Sequence, residues 1–521
     1  MIRRSGSPSR TALVCAAGLA VFVAGSLMEK AHAQGMGGSG ISAGDSSSVV
    51  WTDNMYRRST DKDSDAILEV SPYLSASSSS PRAKYRLFYQ LRNVWRLGDG
   101  EDRLYRHALN GRGSFALVDD RLGVDLSGYM GTINASTSGA IAVDPASSFT
   151  NTAKIRYFSV SPWYRDRLAN VADYQLQYSL SHSGGDSGFA TAKARHRLSA
   201  VATSVPSASR WSWRAYAQAE RRDFRNGLDR SRGSSGGALY YGVNPWLRIY
   251  GMLDYERIEH LRDRDGDNSG WGPGAGFDWT PFQRTNIGGS LSKRYYGNTG
   301  DLHVSHTMQH ATMGLRWSRS VLTSADASLL LYDPWSLISG SNQFGPVNPI
   351  LNSLASAGIL LPPGTVFTQS LFTDAAVLDR RLTAFWGLRG VRNALTVSGF
   401  WSDRESTTEI ASDTSVSGLE GSSSVGGVFV GRLRERGLAA NYQYRIDRRS
   451  SIELGVDRRI HDSPTADFET RWTTWRLGYR ARVTSDLTAF AGMRHTSQSG
   501  RNRGSSYDEN AIYGGIDLRF H

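Results

Sequence analysis

Apolar and polar residues alternate with a period of two along most of this chain, and the last stretch shows the pattern most plainly. In Asn510–His521, Ile512, Ile516, Leu518 and Phe520 fall on one face, and Tyr513, Asp517 and Arg519 fall on the other. Successive side chains of a strand point to opposite faces, so the segment predicts a strand with one apolar and one polar side. The same rule holds for Ala83–Arg92, where Tyr85, Leu87, Tyr89 and Leu91 oppose Lys84, Arg86, Gln90 and Arg92, with Phe88 as an apolar exception. It holds again for Ala172–Ser181, Trp211–Glu220, Leu247–Glu256 and Trp475–Arg482. Helical spacing fits none of these segments.

The connections sort into two classes. Tight turns are predicted at Val118–Arg121, Val205–Ser209, Val243–Pro245, Thr280–Gln283, Leu388–Val391, Asp447–Ser450 and Val483–Ser485. Between them lie longer polar loops at Asn134–Asn151, Arg225–Arg232, Glu259–Ser269, Glu405–Ser423 and Thr496–Asp508. Tight turns alternating with long loops are the wiring of outer-membrane barrels. The count gives about 22 strands, within roughly 18 to 22, of roughly 10 to 12 residues each. The fold expected is all-β, a transmembrane antiparallel β-barrel of the outer-membrane type. A β-propeller would need repeats of blade length, whereas the periodicity here is that of hairpins.

One connection differs. Asp333–Thr373 is long and carries Trp335, Leu337, Ile338, Ile350, Leu351, Ile359, Leu360 and Leu361. An exposed loop has no reason to hold so many aliphatic side chains, so the expectation for 333–373 is a constriction in the lumen, a cap on its mouth, or packing against other loops.

At the N-terminus, Arg3, Arg4 and Arg10 precede an apolar run from Thr11 to Met28, and Ala31-His32-Ala33 offers a small-x-small cleavage site. Residues 1–33 therefore read as a secretory signal peptide. The single Cys15 falls inside it, so disulfides are not expected in the mature chain. Residues 34–47 are rich in Gly and Ser and read as a flexible segment, with the barrel occupying 48–521 and a first strand at Val50–Tyr56. Composition agrees with export to the outer membrane. Trp, Tyr and Phe make up 11% of the chain, and 55 glycines stand against 15 prolines. The apolar positions that face lipid in a barrel are diluted by a polar lumen, so no long apolar run is required. An even strand number places both termini in the periplasm.

The net charge is +12, with arginines dispersed through strands rather than gathered on a helix. An exported chain rarely meets DNA, so nucleic acid is set aside and a polyanion in transit is the better partner. Turning the apolar faces toward lipid puts Lys84, Arg86, Arg92, Arg214, Arg248, Arg445, Arg476, Arg480, Arg482 and Arg519 in the lumen, with Phe88, Tyr216, Tyr250 and Tyr513. Guanidinium groups in a pore favour anions and offer carboxylates bidentate contacts. The competing reading pairs many of them with Asp and Glu across strands. No catalytic constellation emerges, no enzyme is expected, and no cofactor or metal is called for. Asp263–Asn268 resembles a calcium loop, but the twelfth position is Gly274 rather than Glu. His303 falls on the opposite face from His306 and His310.

With the barrel in hand, Trp51-Thr-Asp-Asn54, then Val70-Ser-Pro72, then the Tyr85–Leu91 strand resemble the start of a family of outer-membrane β-barrels found with exosortase (PEP-CTERM) and exopolysaccharide gene clusters. The resemblance implies passage of an extracellular polysaccharide across the outer membrane, and it carries over no catalytic residue. It also implies a polysaccharide substrate and a periplasmic export component as partners. The terminal strand with Ile512, Ile516, Leu518 and Phe520 resembles the signal read by the barrel-assembly machinery, with His521 trailing the aromatic by one residue. TonB-dependent transporters have a similar strand number but need a folded plug, for which residues 34–47 leave no room. The expected order is a polysaccharide-export channel, then a general or solute-uptake porin, marked by a trimer interface and a polar, acidic constriction loop, then an outer-membrane enzyme acting on polymer or lipid.

Overall fold

The computed structural model describes residues 39–520, apart from 99–101, 119–120, 136–138, 145–146, 186–191, 206–208, 225–229, 260–267, 323–376, 407–431, 466 and 503–504. The expected signal peptide, the 333–373 loop and the calcium-like residues 263–267 lie outside the described residues.

The strands are β1 Ser39–Thr52, β2 Asp65–Ser79, β3 Ala83–Arg96, β4 Arg103–Val118, β5 Leu122–Asn134, β6 Thr152–Leu168, β7 Ala172–Gly185 and β8 Ala192–Ser204. They continue with β9 Trp211–Phe224, β10 Arg230–Asn244, β11 Leu247–Ile258, β12 Ser269–Phe282, β13 Thr285–Arg294, β14 Gly297–Thr307 and β15 Ala311–Leu322. The last seven are β16 Val377–Arg389, β17 Asn393–Ser406, β18 Arg432–Arg445, β19 Ser450–Ser463, β20 Phe468–Arg482, β21 Leu487–Asn502 and β22 Tyr507–Phe520. Each pairs antiparallel with its neighbour in the chain, and β1 also pairs with β22, Ala43 opposite Phe520 and Thr52 opposite Ala511. The sheet therefore closes on itself as a 22-stranded barrel, which leaves no unpaired edge.

One face of the wall carries Leu74, Leu176, Trp213, Ile249, Trp386, Trp401, Leu454, Trp475 and Ile512, all exposed, with Trp475 at 57% and Ile512 at 62%. Large side chains turned outward in this number require an apolar surround, as on the lipid face of an outer-membrane barrel. The opposite face holds most of the buried charged residues, among them Glu69, Arg195, Glu220, Asp254 and Asp457.

Turns at one end are short, as at 80–82, 169–171, 245–246, 283–284 and 390–392, while the other end carries 53–64, 135–151, 259–268, 323–376 and 407–431. The β13–β14 turn at the long-loop end is tight, and Gly297 there adopts φ 120°, which side-chain-bearing residues rarely reach. Among the short turns, Asp447 accepts hydrogen bonds from the Arg449 N–H at 2.6 Å and the Ser450 N–H at 2.7 Å. Those donors, the Arg449 amide foremost, hold its carboxyl below the usual carboxylate range. A depressed pKa means the turn gains from the ionised form at neutral pH and loses that gain as pH falls below about 4. Asp447→Ala is expected to speed amide hydrogen exchange at Arg449 and Ser450 at pH 7, while Asp447→Asn keeps most of the protection; equal exchange in all three would remove the capping role.

Three boundaries differ from the sequence reading. The Gly/Ser-rich segment expected to be flexible over 34–47 is strand from Ser39 onward, so the barrel begins there rather than at 48. The expected Val50–Tyr56 strand ends at Thr52, and the chain turns at Asn54, whose side chain bonds the Arg58 N–H and C=O. The long loop expected over Thr496–Asp508 is mostly strand, since β21 runs to Asn502 and β22 starts at Tyr507.

Candidate functional site

The interior face is fixed by the described residues of the β5–β6 connection, 135, 139–144 and 147–151, which fold back over the wall. Its base is tied by paired hydrogen bonds between the Asn134 side chain and the Ala142 backbone at 2.9 and 3.1 Å, and by Asn151 donating to the Ala140 carbonyl at 2.8 Å. Its Gly139–Ile141 part lies against β21 and β22, which neighbour β1 through the barrel closure. Ile141 N–H donates to Gln498 Oε1 at 3.0 Å, Gln498 Nε2 donates to the Gly139 carbonyl at 2.9 Å, and the Tyr507 hydroxyl donates to the Ile141 carbonyl. Ile141 and Val143 pack on Trp472 of β20. On the way, Arg92 donates to Asp144 at 3.0 Å, Ser147 to Glu69 at 2.9 Å and Arg57 to Ser148 at 2.8 Å. A segment that leaves the wall at β5 and meets it again at β2–β3 and β20–β22, strands joined to β5 in one arc through the β1–β22 closure, spans that arc on its inner side. The face bearing Glu69, Arg92, Trp472, Gln498 and Tyr507 is therefore the lumen.

Strand register places the sequence-derived residues relative to that face. Lys84, Arg86 and Phe88 stand opposite Ser79, Ser77 and Ser75, on the same side of β2 as Glu69. Arg214, Tyr216, Arg248 and Tyr250 share a side with Glu220 and Asp254. Arg445, Arg476, Arg480, Arg482, Tyr513 and Arg519 share one with Trp472 and Tyr507. His303 lies on the lumen side of β14, His306 on the other, and His310 in the turn that follows.

Charge is organised differently at the two ends of this lumen. Toward the long loops, buried acids and arginines interlock. Arg92 holds Glu69 at 2.7 Å as well as Asp144, and Glu509 lies between Arg494 at 3.0 Å and Arg57 at 3.4 Å. Arg294 meets Asp254 at 2.6 Å, Arg232 meets Glu256 at 2.6 Å, and Arg195 and Arg222 both clasp Glu220. Asp379 takes Arg404 at 3.0 Å, which reaches Glu435 at 3.0 Å, and Glu435 faces His461 at 3.1 Å. Asp457 takes Arg459 at 2.8 Å, whose guanidinium lies 5.1 Å from the Trp472 ring centre. These groups brace the wall.

Toward the short turns the pattern changes. Lys84, Arg86, Arg445, Arg482 and Arg519 are exposed and have no ion-pair partner among the described residues, while Arg480 stands 3.9 Å from Asp517 and Arg248 2.6 Å from Asp278. Of the basic residues read from the sequence, Arg92 belongs to the braced half, Arg476 is half-buried over Gly455, and the others lie in the short-turn half.

Strands β8 to β13 enclose a lumen-side cavity of about 480 Å³, whose lining includes Arg197, Arg214, Tyr216, Tyr240, Arg248 and Tyr250. Glycines make room for it. A side chain at Gly276 would strike the Tyr250 ring, and one at Gly272 would meet Arg294 at 2.9 Å. Tyr240 and Tyr250 pack with their rings tilted by 44° and centres 4.9 Å apart, and the Arg248 guanidinium sits 4.8 Å from the Tyr240 ring. Arg214 keeps a buried Nε with no hydrogen-bond acceptor among the described residues. Flat aromatic faces beside guanidinium donors suit hydroxyl-rich anions.

Sequence reasoning missed two parts of this site. The inward-folded β5–β6 loop was not anticipated, and its signal was the apolar run Ala140-Ile-Ala-Val143 inside an otherwise polar loop; the 333–373 loop lies outside the described residues. Tyr240 and Arg197 of the cavity were also missed, because period-two patterning gives the face of a residue but not its neighbours on other strands.

Neither known protein-family models nor curated protein sequences match the chain. Among solved structures, it is similar to the siderophore receptor PirA from Pseudomonas aeruginosa, at 9% identity and TM-score 0.46, covering 94% of this chain and 82% of that one. It is also similar to the FrpB iron transporter from Neisseria meningitidis, at 10% identity and TM-score 0.44, covering 93% and 83%. A copper transporter, OprC, matches at 10% identity and TM-score 0.39, over 94% and 82%. All are likenesses of barrel architecture, and the closed 22-stranded pairing established above defines the fold of this chain.

Proposed function

We propose that the chain is an outer-membrane channel that admits anionic, hydroxyl-rich solutes, with the β5–β6 loop as its constriction and the short turns facing the periplasm. The observation that carries this reading is the loop itself, folded inside the wall with Asp144 set against Arg92, its apolar Ile141–Val143 docked on Trp472, and its backbone bonded to Gln498 and Tyr507. A loop folded inside the barrel narrows the path open to solutes. Solutes that pass it meet the exposed, unpaired Lys84, Arg86, Arg445, Arg482 and Arg519, whose charge favours anions.

The export reading keeps one observation in its favour. The unpaired basic residues and the Tyr216–Tyr240–Tyr250 cavity together offer an acidic polysaccharide both charge contacts and stacking surfaces. In that case a periplasmic component would hand the polymer to the short-turn mouth. Either way, β22 is the strand that meets the barrel-assembly machinery.

Planar-bilayer recording tests both. Wild-type channels are expected to prefer anions in a salt gradient, and Arg86, Arg445, Arg482 and Arg519 all changed to Gln are expected to lower the anion-to-cation permeability ratio by about threefold or more. An unchanged ratio would overturn the assignment of these groups to the conduction path. Blockade by short acidic sugars favours uptake, whereas blockade only by long acidic chains added from the short-turn side favours export.

A further inference from the structure

The outer face of the wall carries a second basic cluster, on β18 to β20. Arg436 stands opposite Ile460, Ile460 opposite Arg471, and Arg458 opposite both Leu438 and Thr473. Three guanidinium groups thus surround Ile460 on the side opposite the lumen, and all three side chains are exposed. With neighbouring strands about 4.8 Å apart and alternate residues about 6.6 Å apart, a single phosphate can be reached by two of them.

Their height on the wall is informative. Leu438 stands level with Arg458, and Leu454 and Trp475 lie toward the short turns from the cluster, exposed at 58%, 48% and 57%, so the arginines sit at the edge of the apolar band. Toward the long loops, Asp462 faces Arg434 at 3.8 Å, Glu469 takes Arg471 at 2.6 Å and Asp403 takes Arg432. Arg436 and Arg458 have no ion-pair partner among the described residues. A lone charge turned outward costs a few kcal/mol at the membrane midplane and about 0–1 near the interface, so these two groups belong in an anionic headgroup layer.

We infer that Arg436, Arg458 and Arg471 bind the phosphate groups of the phosphorylated glycolipid, lipid A, in the outer leaflet. The inference rests on the outer-membrane placement with the long loops outside, and it is independent of what the channel conducts. The charge complementarity is specific: two free guanidiniums and one shared with Glu469 present bidentate donors at headgroup height, above tryptophan and leucine side chains that meet acyl chains.

The full chain, refolded in detergent, is mixed with bisphosphorylated lipid A, lipid A lacking its phosphates, or phosphatidylglycerol, and bound lipid is counted by native mass spectrometry. The double variant R436Q/R458Q is expected to bind bisphosphorylated lipid A about tenfold more weakly, while R103Q/R257Q, at outward-facing positions on other strands, binds as wild type. The variant R436K/R458K, which keeps the charge without the fork of donors, is expected to fall between. Equal binding by the Gln variant, equal binding of lipid A without phosphates, or displacement by equimolar phosphatidylglycerol would each overturn the assignment. Retained anion selectivity in R436Q/R458Q channels separates this outcome from any failure of the conduction reading.

Discussion

Replacing residues 136–150 with Gly-Ser-Gly is expected to raise single-channel conductance about threefold, because a barrel of this strand number has a lumen far wider than a hydrated ion unless something crosses it. Among the described residues the β5–β6 loop is what extends inward from the wall, spanning the arc from β5 through the closure to β20–β22. Removing it does not dismantle the wall. Arg92 keeps Glu69 at 2.7 Å and Arg57 keeps Glu509 at 3.4 Å, so neither cation is stranded. The losses are the packing of Ile141 and Val143 on Trp472 and the hydrogen bonds at Gln498 and Tyr507, all of which belong to the loop's own docking. A milder change gives the same direction. Tyr507→Phe removes the bond to the Ile141 carbonyl and leaves the ring in place, so it should increase current noise rather than mean conductance. Unchanged current after loop replacement would mean that the narrowest section lies elsewhere, and the reading of 135–151 as the constriction would fall.

The barrel was legible in the sequence because lipid contact imposes a rule on every second residue, and that rule is local. Ile512, Ile516, Leu518 and Phe520 announce β22 without reference to any other strand. The rule ends at the headgroups, which is why Ser497–Asn502 read as loop: beyond the apolar band both faces of β21 are polar, and the strand persists only through its pairing with β20 and β22. β1 failed for a related reason. Its Ser39–Ser48 stretch has almost no large side chain, and it is a strand because β2 pairs with it throughout and β22 from Ala43 onward. Gly44 there is a requirement of that closure, since a Cβ would collide with the Tyr73 ring and the Leu518 carbonyl. The inward direction of Arg92 and Arg482 followed from alternation alone. That one is clasped by Glu69 and Asp144 while the other stands free did not, because the partners come from other strands and from a loop.

Glu435→Ala is expected to destabilise the barrel by about 3–5 kcal/mol, the largest effect of any single change considered, because it breaks a buried charge network rather than a surface pair. Glu435 is 4% exposed and stands 3.0 Å from Arg404 and 3.1 Å from the His461 ring nitrogen. Arg404 also contacts Asp379 at 3.0 Å, and Arg381 contacts the same carboxylate at 3.4 Å. With Glu435 gone, two arginines lean on one carboxylate and His461 loses its acceptor, while the surrounding Leu433 and Ser402 exclude water. Glu435→Gln keeps the shape and one acceptor oxygen, so its cost should be about 1.5–3 kcal/mol, that of a hydrogen bond to a charged group. Urea unfolding of the refolded protein in lipid vesicles, followed by tryptophan fluorescence, reads both values. A loss below about 1 kcal/mol for Glu435→Ala would mean that solvent screens these groups as it does surface pairs. The braced half of the lumen would then be as wet as the half that carries the free arginines, and the division of the channel into a structural and a conducting end would have to be given up.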